Sequence, residues 1–283
     1  MKVTPYCSFH PTSIILKHRT MKDPLKIVYE DKFLIVVEKS EGLLSVGTSR
    51  GKDEVTAHSM LNNYLRNTAS GNFGRGRYGR EGQPRAYIVH RLDRETSGLM
   101  VFAKSEEVKR MLQDNWEEAV THRGYVAVVN LSGRIEPQRN VRVEYLIEED
   151  ENGKERLNYN EGRITSWLKE NRAMVVYSSA KDNGGQIAVT DFKVLESNPR
   201  SNKALLEIEL HTGRKNQIRV HMQEAGCPIW GDKKYFGESQ AHLAENKKAR
   251  RLYLHAYALG FIHPVTGKQM NFSTGIPRSF RNI

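Results

Sequence analysis

Apolar residues recur along the chain in two rhythms. Ile27-Val28-Tyr29, a polar break at Glu30-Asp31-Lys32, and then Phe33 to Val37 make two short β-rich runs about a turn, which predicts a hairpin. Val55 to Arg66 instead places Met60, Leu61, Tyr64 and Leu65 at helical spacing. Residues 67–86 break the pattern, and two strand candidates follow, Ala86 to Val89 and Leu99 to Ala103. Ser105 before Glu106 and Glu107 reads as an N-cap with acids in the first turn, where they favour the helix dipole. Val108, Met111, Leu112, Trp116 and Ala119 supply the apolar face of that helix, and Tyr125 to Val129 reads as a strand.

The stretch from Gly133 to Asn171 is charged and irregular, which predicts loops and peripheral strands. In Ala204 to Leu210, Leu206, Ile208 and Leu210 alternate with Glu207 and Glu209, the signature of a half-buried strand. Gln217 to Ala225 reads as a helix ended by Gly226 and Pro228. Leu252 to Phe261 is apolar and aromatic, and His263-Pro264 with Thr266-Gly267 then makes a turn. Strands and helices without a βαβ rhythm predict an α+β or mixed-sheet fold. Residues 1–23 lack sustained periodicity and are expected to be an N-terminal extension; no linker divides residues 24–283, which predicts one catalytic-size domain.

Composition narrows the class. With 38% apolar and 27% charged residues, the chain is neither disordered nor built to cross a membrane. No run approaches the roughly 20 apolar residues of a bilayer span, and the start has no long apolar core of a secretory signal. Cys7 and Cys227 are too few for a disulfide framework or a cysteine-rich zinc site, and the histidines lack metal-site spacing. A soluble, cytoplasmic protein is expected, monomeric and without a metal. The net charge is +11, from 44 Lys and Arg against 33 Asp and Glu, and such a field draws polyanions. The cations cluster: Arg66 to Arg85 holds five arginines and one acid, and Lys247, Lys248, Arg250 and Arg251 form a second group.

Gly74-Arg75-Gly76-Arg77-Tyr78-Gly79 matches the dinucleotide fingerprint G-x-G-x-x-G, but no apolar strand precedes it and no helix follows, so a nucleotide cofactor is not expected. A loop whose Arg75, Arg77 and Arg80 meet phosphates, with an aromatic able to stack on a base, fits better; a plain disordered insertion fits as well.

His90-Arg91-Leu92-Asp93-Arg94-Glu95-Thr96-Ser97-Gly98-Leu99 lies between two strand candidates, a usual place for catalytic residues. Asp93 between two arginines reads on its own as a structural ion pair or as a catalytic carboxylate. In His211 to Met222, Arg219 stands between Ile218 and Val220, where an unpaired guanidinium is costly. It reads either as a buried cation that needs a carboxylate, for which a loop Asp is a reasonable partner, or as a surface arginine of an amphipathic helix.

The HRLDRETSGL run resembles the signature of the RluA family of RNA pseudouridine synthases. Other segments agree in order: Ile27 to Asp31 with Glu41 to Leu44, Arg123-Gly124-Tyr125-Val126-Ala127, Leu210 to Met222 with Gly226 to Ile229 and Gly231-Asp232, and Leu254-His255-Ala256 through His263-Pro264. The resemblance spans roughly residues 26–277. It implies the family's catalytic fold, an α+β domain with a mixed, largely antiparallel sheet core flanked by helices and loops. It also implies a reaction: the N1–C1′ bond of a uridine in ribosomal or transfer RNA breaks, the uracil rotates, and C5 bonds to C1′, with no cofactor.

By the same resemblance Asp93 is the nucleophile, attacking either C1′ or the uracil ring, and Arg219 favours its ionised form. Tyr125, on pattern alone a sheet-core residue, stacks on the base and assists proton removal from C5. Arg91 fills the space left by the extracted uridine, and Arg94, Arg214 and Lys215 bind RNA. Three departures stand out: Asn216 where many relatives carry His, Lys39-Ser40 in place of Lys-Pro, and a region before residue 24 unlike the S4 RNA-binding domain. RNA selection is then expected to fall on the catalytic domain and its basic insertion, residues 67–85. Two competing readings are a non-catalytic RNA-binding or ribosome-assembly factor that kept the fold, and a nucleosidase, for which Glu95 is the local candidate for a second carboxyl. The charge pattern predicts that RNA affinity falls steeply as salt rises, by counterion release; an affinity unchanged from low to high ionic strength in a filter-binding titration contradicts a phosphate-led interface.

Overall fold

The computed structural model describes residues 24–47, 54–72, 84–131, 133–137, 140–149, 151–181, 183–236, 244, 246–281 and 283. The basic-loop residues Arg75, Arg77 and Arg80 lie outside them. In chain order the elements are β1 (Leu25–Glu30), β2 (Leu34–Lys39), α1 (Ala57–Asn72), β3 (Tyr87–Ile88), β4 (Ser97–Ala103), α2 (Glu106–Asp114), α3 (Trp116–Ala119), β5 (His122–Asn130), β6 (Arg142–Glu149), β7 (Glu155–Glu170), β8 (Val176–Ser179), β9 (Gln186–Asn198), β10 (Lys203–Leu210), α4 (Gln217–Glu224), β11 (Leu254–Ile262) and β12 (Gln269–Ser273). The fold is α+β, with mostly antiparallel strands and few helices. Two compact units divide it, residues 24–121 with 258–274, and residues 122–257 with 275–283.

In the first unit β2 lies between β1 and β4, antiparallel to both, and β3 also pairs with β4. Asp31 makes the β1–β2 turn: its Oδ1 accepts the N–H groups of Phe33 and Leu34, both at 2.7 Å. Burial pushes its pKa up, but these backbone bonds and those from Tyr29 and His263 outweigh it, and the net shift is downward. All seven residues of β4 are buried, as the unbroken apolar run from Leu99 to Ala103 demands of most of them. Leu34, Val36, Leu99 and Val101 pack with Val108 and Leu112 of α2 and with Phe261 and Phe272, each buried side chain contributing about 1.5–3 kcal/mol. Ser105 caps α2 as expected, its Oγ accepting Val108 N–H at 3.2 Å. The helix does not run on to Ala119, however. Asn115 takes a non-helical conformation and separates α2 from α3, and Met111, expected on the apolar face, is exposed.

In the second unit the strand order is β6-β7-β9-β10-β5, with β8 also on β7. The expectation of peripheral strands over residues 133–171 holds for β6, which lies at the edge of the sheet, and is corrected for β7. β7 is the longest strand and sits inside the sheet, paired with β6 and β9. Its buried positions are Gly162, Ile164, Ser166 and Leu168; two of the four are not apolar, which hides the alternation in the sequence. Gly162 is required there, because a Cβ would come within 2.5 Å of Glu144 O. Helix α4 lays Ile218 and Met222 on the core made by Ala127, Ile164, Phe192, Leu206 and Ile208. A second cluster, Val126, Val128, Leu205, Tyr253 and Phe280, draws on the alternate positions of β5 and β10.

A buried polar chain ties α4 to the sheet. His221 lies within hydrogen-bond distance of Ser166 Oγ (3.0 Å) and Thr190 Oγ1 (2.9 Å), Ser178 Oγ donates to Ser166 Oγ (2.9 Å), and Ser178 N–H donates to Glu224 Oε1 (3.2 Å). Burial pushes the His221 pKa from 6.5 down to about 3. The unfolded chain therefore takes up this proton near pH 6.5 and the folded chain only near 3, so stability falls as pH drops through that window. Replacing His221 by Gln should lower stability near neutral pH and remove up to about 1.4 kcal/mol per pH unit of acid destabilisation between pH 6 and 4. Urea denaturation at several pH values checks this; equal pH slopes for variant and wild type contradict it.

Candidate active site

The loop from Val89 to Thr96 carries exposed Arg91 and Arg94 and half-buried Asp93 while Leu92 and Thr96 are buried, so its backbone groups need partners. The turn between β2 and α1 meets that demand. Ser45, 2% exposed, clamps Leu92 at both backbone groups: its Oγ accepts Leu92 N–H at 3.1 Å and donates to Leu92 O at 2.6 Å. Gly42 N–H donates to Arg94 O at 2.8 Å, and Thr96 N–H to Asp93 O at 3.2 Å. Lys39 has no exposed surface; its ammonium donates to the carbonyls of Leu43 (2.8 Å), Ser40 (3.0 Å) and Arg94 (3.2 Å). Residues 92, 93 and 94 thus all have engaged carbonyls, and the half-buried Asp93 side chain rises from a fixed backbone.

The neighbours of Asp93 divide by role. His90 Nε2 accepts Val101 N–H at 3.1 Å and its ring packs tilted against that of Trp116, 5.0 Å between centroids, so it braces the loop. Arg91 is exposed, and exposed Arg94 pairs with Glu54. Such a surface pair is worth little. Sequence reasoning missed Ser45 and the structural use of Lys39; a lysine ending the apolar strand Leu34-Ile35-Val36-Val37 was the available signal.

Tyr125, Arg214, Lys215 and Arg219 belong to the second unit, and Asp93 to the first. Tyr125 on β5 stands opposite Ile208, half-buried against the cluster that α4 covers. A Cβ on Gly213 would come within 2.9 Å of Arg123 Nη1, so the arginine two residues before Tyr125 closes over the loop that leads into α4. That loop is stitched by Gln217, whose Oε1 accepts from Thr212 Oγ1 (2.8 Å) and Arg214 N–H (3.0 Å) while its Nε2 donates to Val189 O (3.0 Å) and Thr190 Oγ1 (2.9 Å). Arg214 Nε donates to Ile187 O at 3.1 Å, and exposed Lys215 pairs with Glu170.

Arg219 is only 7% exposed, which removes the surface-arginine reading. The carboxylate that holds it is Asp232, named with the resemblance but not as this partner; fully buried, it accepts from Nε at 2.6 Å and from Nη2 at 2.7 Å. Gly231 makes this possible. Its φ is +83° and a Cβ would lie 1.7 Å from Arg251 O, so only glycine brings Asp232 into place. On β9, Asp191 accepts from Arg163 Nε and Nη2 at 2.6 and 2.8 Å and lies 2.7 Å from His211 Nε2. Burial raises the Asp191 pKa, but Arg163 and His211 outweigh it, so the net shift is downward. Among the described residues no group of three or more His, Cys, Asp or Glu is placed to hold a metal ion.

Residues 33–224 match the family model described as RNA pseudouridylate synthase. The "Ribosomal large subunit pseudouridine synthase D" of Zymomonas mobilis is 32% identical over 260 residues, 91% of this chain and 71% of the relative. The "tRNA pseudouridine synthase C" of Pasteurella multocida is 29% identical over 270 residues, 92% of this chain and 94% of the relative. Among solved structures, "Human RNA Pseudouridylate Synthase Domain Containing 4" superposes with a TM-score of 0.57 at 25% identity, covering 90% of this chain and 89% of that one. The matched span contains the HRLDRETSG loop with both strands that hold it, Tyr125 and Arg219. The chain belongs to the RNA pseudouridylate synthase family.

Proposed function

We propose that the chain isomerises particular uridines of ribosomal or transfer RNA, with Asp93 as nucleophile and Tyr125 and Arg219 serving the same reaction. Family membership supplies the reaction class: an isomerase that turns RNA uridine into pseudouridine. The observation that carries the choice of Asp93 is the loop itself. Its carbonyls are held on both sides of residue 93 by Ser45, Gly42 and Lys39, a rigid mount for a side chain that must reach a reacting atom.

The isomerisation breaks N1–C1′ and forms C5–C1′; the proton lost from C5 is balanced by one gained at N1, so nothing is consumed. A carboxylate suits the nucleophile because it must leave again. The Tyr125 ring offers a face to the uracil and its hydroxyl a proton carrier at C5. Arg219 orients the reacting anion. A target uridine stacked in folded RNA must first be extracted, at a few kcal/mol, and exposed Arg91 is suited to fill the gap. Arg94, Arg214 and Lys215, with the arginines of the basic insertion, supply cations for the backbone. The assignment to ribosomal or transfer RNA draws on the relatives that bear those names.

Asp93→Asn should fold and bind RNA like the wild type, while pseudouridine formation falls by about 10⁴-fold or more. A single-turnover yield equal to that of the wild type would remove Asp93 from the nucleophile's role, and release of free uracil would point to a nucleosidase instead. Tyr125→Phe, which keeps the ring, should retain RNA affinity and lose roughly 10²-fold or more in turnover; an unchanged rate restricts Tyr125 to stacking.

A further inference from the structure

The guanidinium of Arg219 carries five N–H groups in a rigid fork. Its side-on edge, Nε with Nη2, is taken by Asp232 at 2.6 and 2.7 Å, and Nη1 donates to Asn216 Oδ1 at 3.3 Å. The Tyr235 ring covers one face, 5.2 Å from centroid to guanidinium. These partners are themselves fixed. Asn216 Nδ2 donates to the Tyr235 hydroxyl at 3.2 Å, and the same hydroxyl accepts Val176 N–H at 3.0 Å. Asp232 Oδ1 also accepts the N–H groups of Lys234 and Tyr235, at 2.8 and 2.9 Å. With edge and face held, the direction of the end-on fork, Nη1 with Nη2, is set. That fork matches a carboxylate or phosphate in two parallel hydrogen bonds.

We propose that Asp232 and Asn216 are positioning residues for the isomerisation, fixing the Arg219 guanidinium so that its end-on fork meets the anionic group of the reaction. The inference rests on the reading of Arg219 as part of the catalytic machinery. It also accounts for the residue type at 216. That position has φ +55° and needs one acceptor, for Nη1, and one donor, for the Tyr235 hydroxyl. Asn meets all three demands; a neutral His, also tolerated at positive φ, offers the same acceptor and donor. Leu offers neither.

The test measures single-turnover pseudouridine formation on total RNA from cells lacking the chain, beside RNA affinity by filter binding and a thermal melt. Asp232→Asn should melt cooperatively, bind RNA as the wild type does, and react roughly 10- to 100-fold more slowly. Asn216→Leu should show the same split, and Asn216→His should recover most of the loss. In an Arg219→Lys background, where there is no fork to orient, Asp232→Asn should cost no further rate; full multiplication of the two losses overturns the clamp. Asp232→Asn and Asn216→Leu proteins that fold and react at the wild-type rate overturn it as well. If Asp232→Asn does not fold, Asn216→Leu with its His counterpart decides alone. A wild-type rate in Arg219→Lys itself sinks the reading of Arg219 and the clamp with it.

Discussion

A guanidinium cannot be taken out of water unless something nearby answers its charge. Breaking a buried ion pair by removing one partner typically costs about 3–5 kcal/mol. In the second unit that demand organises the structure around Arg219. To bring a carboxylate to it the chain leaves α4, passes Gly226 and Pro228, and makes the Gly231-Asp232 turn, which the carbonyl of Arg251 presses from behind. The Asn216 conformation at the start of α4, the Tyr235 ring and the tie from Tyr235 to β8 belong to the same arrangement. Stability and the proposed chemistry draw on one set of contacts.

The first unit solves a similar problem with the signs reversed. A loop that carries an acid has carbonyl oxygens to satisfy in a buried setting, and a lysine with no exposed surface satisfies part of that need. A buried ammonium is stabilising only where acceptors surround it, and three carbonyls do so here. The common device is a charged side chain, out of solvent, bonded to the backbone or side chain next to a functional group. Rigid mounts of this kind hold reactive atoms within the narrow tolerances that catalysis requires.

Much of this was legible before any coordinates. The β1–β2 hairpin, the Ser105 cap, the β10 alternation and the end of α4 follow from periodicity and turn residues alone, and HRLDRETSG named the family. The failures have physical causes. β7 concealed itself because Gly162 and Ser166 occupy buried sites where a pattern search looks for apolar residues. The break at Asn115 depends on one backbone conformation, which helical spacing on either side does not reveal. Asp232 was visible as part of a motif but its pairing with Arg219 was not, because the two lie thirteen residues apart, beyond the reach of local pattern. Periodicity reports on what is buried for its apolarity; polar groups buried for their partners are seen only in three dimensions.

Gly231 shows how far such a dependence reaches. Nothing of its own takes part in chemistry, yet a methyl group there would collide with a carbonyl and push the following aspartate off its guanidinium. When the sequence drifts, this position is closed to change for a reason that no inventory of reactive groups would supply: inheritance must preserve an empty space as strictly as it preserves a nucleophile.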